Sequence, residues 1–129
     1  MKKTEQTKFR TAKEIGDYGE RKAARYLMRR GYWIKERNYR SGKYEIDLIA
    51  ISLRSILFVE VKTRSYNREN ATGVPPSHAV DADKIRFTRA AAKNYLRNHP
   101  TAKMPRMDVI EVWLANGKVY KIQHLPGAY

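Results

Sequence analysis

The sequence predicts an α/β fold in which a mixed β-sheet is flanked by helices, with elements in the order α-β-β-β-α-β-β. Two segments, residues 13–30 and 80–98, place apolar side chains at helical spacing. Five others read as strands, three before the second helix and two after it. A chain of 129 residues, 42% of them hydrophobic, is sized for one domain with a modest core.

The elements follow in order. Residues 1–12 are polar and basic, and are expected to form a flexible N-terminal arm ahead of a single domain at 13–129. In the first helix Gly16, Glu20, Ala23, Ala24 and Leu27 share one face, Arg21, Arg25 and Arg29 share another, and Gly31 supplies the stop. Strands are predicted at Tyr32–Tyr39, Tyr44–Ser52 and Ser55–Thr63, separated by Ser41-Gly42 and by a turn at Leu53-Arg54. A loop from Arg64 to His78 comes next, and loops of that length in compact domains often carry function, here as a cover for bound substrate. The second helix has a core stripe of Ile85, Ala92 and Leu96, a basic face of Arg86, Arg89, Lys93 and Arg97, and Pro100 as its stop. The last strands, Met107–Leu114 and Val119–His124, flank Asn116-Gly117, a dipeptide suited to a two-residue hairpin.

Charge narrows the partner. With 27 Lys and Arg against 13 Asp and Glu, the net charge is +14, which favours salt-sensitive binding to polyanions and points to nucleic acid. No stretch approaches the ~20 apolar residues that span a bilayer, so no membrane partner is expected. The opening MKKTEQTKFR leads into no apolar run and is not read as a signal peptide. The absence of cysteine excludes disulfides, thiolate metal sites and cysteine nucleophiles, and fits a cytoplasmic protein. His78, His99 and His124 lack the close spacing of a zinc site. The arginine-rich helix faces are either phosphate grips or ordinary solvated surfaces.

The informative acids lie in two apolar strands, Glu45–Ile51 (EIDLIAI) and Ile56–Lys62 (ILFVEVK). A strand apolar on both faces is a buried strand, and an unpartnered carboxylate there is costly. A turn centred between Leu53 and Arg54 sets Asp47 opposite Glu60 and Glu45 opposite Lys62. Directly opposed like charges cost roughly 0.2–1 kcal/mol, which a divalent cation would offset. Mg²⁺ takes one or two carboxylates and keeps several waters. It polarises a phosphoryl oxygen and acidifies a bound water, and a lysine on the same face can position that water. Glu20, on the apolar side of the first helix, is a candidate further ligand or a partner for a metal-held water. Ordinary ion pairing of these acids with Lys62 and neighbouring arginines is the competing reading.

Taken together, Gly16-Asp17-Tyr18-Gly19-Glu20, Ala23, Ala24, Gly31-Tyr32, Arg37-Asn38, Glu45–Ala50, Phe58–Arg64, Ala79-Val80, Lys84, Ala91-Ala92, Tyr95-Leu96 and Met107–Ile110 resemble the YraN family of small bacterial proteins. The resemblance covers nearly all of the chain after the first dozen residues. That family looks like a branch of the PD-(D/E)XK nuclease superfamily, close to archaeal Holliday-junction resolvases. The resemblance implies a restriction-endonuclease-like fold with a four-stranded mixed core sheet, and an Mg²⁺ or Mn²⁺ centre. It assigns Asp47 and Glu60 as ligands, with the Val61 carbonyl as a third, Lys62 as the residue that orients water, and Glu20 as the helical acid. Ile46 stands where the signature has proline. Arg64, Lys84 and Arg86 are the candidate nucleic-acid contacts, DNA is the expected substrate, and a homodimer is the expected assembly. The competing functions are a non-catalytic nucleic-acid-binding module and an RNA- or ribosome-associated factor.

Overall fold

A computed structural model describes residues 11–66 and 82–129. The predicted arm up to residue 10, the predicted loop from residue 67 through His78, and residues 79–81 lie outside the described residues.

The first helix, α1 (Ala12–Arg29), starts one residue earlier than the periodicity suggested because Thr11 and Glu14 form a capping box. The Glu14 N–H donates to Thr11 Oγ1 at 3.1 Å and the Thr11 N–H to Glu14 Oε1 at 3.2 Å, which satisfies donors that the first turn leaves bare. Gly31, at φ +95°, ends the helix as expected. Its buried side is Gly19, Ala23, Ala24 and Leu27. Gly19, not Gly16, is the contact glycine: a Cβ there would sit 1.8 Å from Thr63 Oγ1, while one at Gly16 meets nothing within 4 Å. Gly19→Ala is therefore expected to destabilise by about 1–2 kcal/mol, an overpacking cost of ~1–3 kcal/mol reduced by the better helix propensity of alanine. Gly16→Ala should instead be neutral or stabilising. Urea melts of the pair check this, and equal effects at both positions would refute the close-approach argument.

Five strands form one sheet in sequence order: β1 (Trp33–Ser41), β2 (Tyr44–Ile51), β3 (Ser55–Tyr66), β4 (Met104–Ala115) and β5 (Lys118–Leu125). Neighbours are antiparallel except β3 and β4, which run parallel. A parallel pair needs a long crossover, and α2 (Ala82–Asn98) lies within it. The fold is thus the expected mixed α/β sandwich in the order α-β-β-β-α-β-β, with five strands in the sheet rather than four. The β4–β5 hairpin turns at Asn116 and Gly117, whose φ angles of 52° and 82° are those of the anticipated turn. β3 runs on through Tyr66, so Arg64 belongs to the sheet, with Trp113 as its partner in register, and not to a loop.

Each face of the sheet has its own core. On the α1 side Leu48, Ala50, Leu57, Val59, Ile110, Val112 and Leu114 pack with Ala23, Ala24 and Leu27. On the α2 side Ile46, Ile49, Ile56 and Phe58 pack with Ala91, Ala92 and Tyr95. The buried stripe of α2 is Thr88, Ala91, Ala92 and Tyr95, so the helix is rotated from the predicted Ile85–Ala92–Leu96 stripe, with Ile85 and Leu96 only partly covered. The face with Arg86, Arg89, Lys93 and Arg97 is exposed, as predicted. Among the described residues no helix is long and apolar enough to cross a membrane.

Two strands depart from alternation at the same place. Ile46 and Leu48 are two residues apart, yet they lie in cores on opposite faces. Opposite them, Tyr39 pairs with Ile46 and Arg37 with Leu48, while Asn38 sits between at φ +51°. Asparagine tolerates this left-handed conformation better than most residues. The irregularity in β1 and the irregularity in β2 therefore meet at Asn38 and Asp47.

Candidate active site

The β2–β3 register is the one the turn predicts: Ile51 pairs with Ile56, Ala50 with Leu57, Ile49 with Phe58 and Leu48 with Val59. The ladder stops there. Asp47, next in line, receives the Val61 N–H on its carboxylate Oδ2 at 2.8 Å. A side chain has replaced the strand backbone as acceptor, and β2 and β3 part beyond it. The fork between them is the candidate site.

Glu60, only 5% exposed, sits on β3 at this fork. Its Oε2 is 3.1 Å from Lys84 Nζ of α2 and 3.7 Å from Lys62 Nζ, two residues along the same strand. Burial, and after it the charge of Glu60, pushes the Asp47 carboxyl up to about 7. Glu20 adds to the rise, while the Val61 hydrogen bond and Lys84 oppose it. Burial works against the charge of Lys84, but Glu60 outweighs it and holds the ammonium above its ordinary value. The acids at the fork are thus mutually repulsive and only partly neutralised.

Glu20 reaches the fork from the α1 side. With its amide nitrogen toward the two acids, Asn38 donates to Glu20 Oε1 at 3.1 Å and to Glu45 Oε2 at 3.2 Å. Burial and the charges of Asp17 and Glu45 raise the Glu20 carboxyl, against the pull of Asn38. Glu45 also lies 3.8 Å from Arg40. The expected facing of Glu45 and Lys62 is therefore replaced by a link from Glu45 through Asn38 to Glu20, because alternation breaks at Asp47 and turns Glu45 toward α1.

The structure thus gathers Glu20, Asp47, Glu60, Val61, Lys62 and Lys84 around one fork. Arg64 and Arg86 stand elsewhere. Arg64 is partly buried along β3, and Arg86 is an exposed residue of α2 paired with Asp83. Lys84, expected as a nucleic-acid contact, pairs with Glu60. The sequence pattern gives Asn38 no role of its own. Its signal is a polar residue inside a strand directly opposite an acid, which becomes meaningful only when the β1–β2 register is known.

The donor set suits Mg²⁺ or Mn²⁺. Asp47 Oδ2 holds Val61, which leaves Oδ1, and Glu60 supplies a second hard oxygen donor. Within one strand residue the N–H and the C=O point to the same edge, so the Val61 carbonyl is directed into the same fork. Among the described residues no group of three or more His, Cys, Asp and Glu side chains converges tightly enough to hold an ion alone. The fit is to two carboxylates completed by backbone and water, the arrangement that Mg²⁺ prefers.

Comparison with known proteins gives consistent matches. The model of "Uncharacterised protein family UPF0102" matches residues 19–112. A UPF0102 protein of Alkaliphilus oremlandii is 43% identical over 120 residues, which cover 91% of this chain and 98% of the relative. One of Bacteroides thetaiotaomicron is 38% identical over 116 residues, covering 90% and 92%. One of Caldanaerobacter subterraneus is 38% identical over 120 residues, covering 91% and 95%.

Proposed function

The chain belongs to the UPF0102 (YraN) family, and on that premise we propose that it is an Mg²⁺- or Mn²⁺-dependent endonuclease that hydrolyses phosphodiester bonds in DNA, with branched or structured DNA among its candidate substrates. The observation that carries this reading is the fork itself. Two acids, one of them raised to about 7, are brought together where β2 and β3 part. Carboxylates held close together and only partly neutralised at such a place are costly for stability and useful for an ion.

In this reading Asp47 and Glu60 hold the ion, assisted by the Val61 carbonyl. The ion supplies Lewis acidity toward the phosphoryl oxygens and acidifies a water. Lys62 donates from its ammonium to the attacking water or to the charge that grows on the phosphate. Glu20, steadied by Asn38, accepts from water on the α1 side. Lys84 holds Glu60 in place before substrate arrives and is then available to a phosphate.

One observation favours a second reading. Glu60 already carries two lysines, at 3.1 and 3.7 Å, so the centre is partly neutralised by the protein itself. A non-catalytic nucleic-acid-binding module, or an RNA- or ribosome-associated factor, would need no more. The deciding experiment incubates the purified protein with linear and branched DNAs and with RNA, in Mg²⁺, in Mn²⁺ and in EDTA. Metal-dependent DNA products that vanish with Asp47→Ala and with Glu60→Ala are expected. Equal cutting by those variants would sink the assignment, and salt-sensitive binding without products would favour the module.

A further inference from the structure

The basic face of α1 is not merely a solvated stripe. Between α1 and β5 lies a cavity of about 550 Å³. Lys22, Arg25, Arg29 and Arg30 line it from the helix side, and Val119 and Ile122 from the strand. Residues 22, 25 and 29 recur at helical spacing, so the cations stand one above another along one wall. None of the four is ion-paired with a carboxylate among the described residues.

The wall is also fixed from behind. Arg30 lies over the Tyr26 ring at 4.5 Å, and the Tyr26 hydroxyl is 3.3 Å from His124 Nδ1. His124 Nε2 is in turn 2.7 Å from the fully buried Asp108. A chain of polar contacts thus runs from the interior to the groove and holds its aromatic member in one orientation. Holding Arg30 in place lowers the ordering cost when an anion binds there.

We propose that this groove is a second phosphate-binding surface, which holds the sugar–phosphate backbone of a nucleic acid apart from the Asp47–Glu60 fork. Four cations exceed the charge of a single phosphate, so the ligand must present several. Arg25 and Arg29 are one turn apart, about 6 Å along the helix axis, within reach of neighbouring phosphates on a strand. A flat lipid surface suits the shape poorly, because the apolar residues Val119 and Ile122 are only partly exposed and pack against the core. Contacts of such cations to phosphates carry no sequence information. The contact is therefore sequence-tolerant and positions the strand. Arg29 follows Glu20 by nine residues, roughly 14 Å along α1 and about half a turn around it, so the groove and the fork lie on different sides of the helix. Binding in the groove needs no metal and stands or falls separately from the nuclease reading.

The test is fluorescence anisotropy with a labelled 30-base-pair duplex in EDTA over a salt series. Arg25 and Arg29 are exposed, so the Arg25→Ala/Arg29→Ala protein should fold, and an Arg25→Gln/Arg29→Gln protein repeats the test with different chemistry. Both are expected to bind about tenfold or more weakly and to lower the slope of log K against log salt by about 2. Lys43→Ala/Arg54→Ala removes the same charge from exposed sites elsewhere and should leave the slope nearly unchanged. Unaltered affinity in both groove variants overturns the proposal. So does an equal loss in the control pair, which would make net charge the only cause. Loss of binding to phosphatidylglycerol vesicles with duplex affinity retained would overturn it in favour of a membrane surface.

Discussion

Asp47→Asn is expected to abolish metal-dependent cleavage and at the same time to raise the melting temperature of the metal-free protein. The first effect follows from the loss of a ligand. Removing a charged donor from an ion that stabilises the transition state by several kcal/mol lowers the rate by roughly a thousandfold or more. The second follows from the environment. The Asp47 carboxyl is raised to about 7 by burial and by Glu60, so its ionisation opposes folding progressively above about pH 4 and fully above about 7. An amide keeps an oxygen for the Val61 N–H and removes the repulsion. At pH 8 the gain should be about 1 kcal/mol or more, equivalent to roughly 3–6 °C. Added Mn²⁺ should stabilise the unaltered protein and leave Asp47→Asn unmoved, which differential scanning calorimetry can measure. A variant that is less stable without metal would show that Asp47 serves the fold and not an ion.

Asp108→Ala carries the largest expected cost to stability, about 3–5 kcal/mol. Asp108 is fully buried and collects four hydrogen bonds. Arg106 grips it twice at 2.8 Å, His124 Nε2 lies at 2.7 Å and the Gly127 N–H donates at 3.0 Å. Truncation leaves these groups facing one another around a void. Arg106 can still reach solvent, which places the effect toward the lower end, near 10 °C in melting temperature. Burial pushes the Asp108 carboxyl up, but Arg106, Gly127 and His124 more than offset it and hold it below its ordinary value. A group lowered on folding contributes stability above its unfolded value, and that contribution is lost as pH falls through the folded value. The advantage of the unaltered protein over Asp108→Asn should therefore be full at pH 6 and shrink as the pH falls below about 4. Urea melts at several pH values check this, and a pH-independent difference would contradict it.

Much of the fold could be read from the sequence because it depends on local periodicity. The β2–β3 register followed from a short turn and a side-chain period of two, and it holds for all four pairs up to Leu48–Val59. Beyond that point the same arithmetic failed. The break at Asp47 is set jointly with Asn38 on another strand, and a left-handed asparagine inside a strand leaves no periodic trace. The rotation of α2 is hidden in the sequence for a different reason. Thr88 and Tyr95 have polar atoms that mask them in a hydrophobic pattern, yet both are buried, Tyr95 against Phe58 and Tyr39. Asp47, Glu60 and Lys62 stand out as candidates because acids in apolar strands conflict with burial. The pairing of Lys84 with Glu60 leaves no such trace, because it depends on where the crossover helix lands.

The fork has a consequence for how the two layers of the molecule sense each other. The low-dielectric interior of a sheet screens charge poorly, so what limits coupling between the helices on its two faces is the distance between their charges. Here Asp47 feels both Glu20 of α1 and Lys84 of α2, and Lys84 in turn feels Glu45, which Asn38 joins to Glu20. The gap at one ladder position works as a window through which the layers exchange electrostatic information. A substitution that neutralises Glu20 should therefore be registered as a shift in the titration of Lys84 on the opposite side, although no chain of packed side chains needs to move between them.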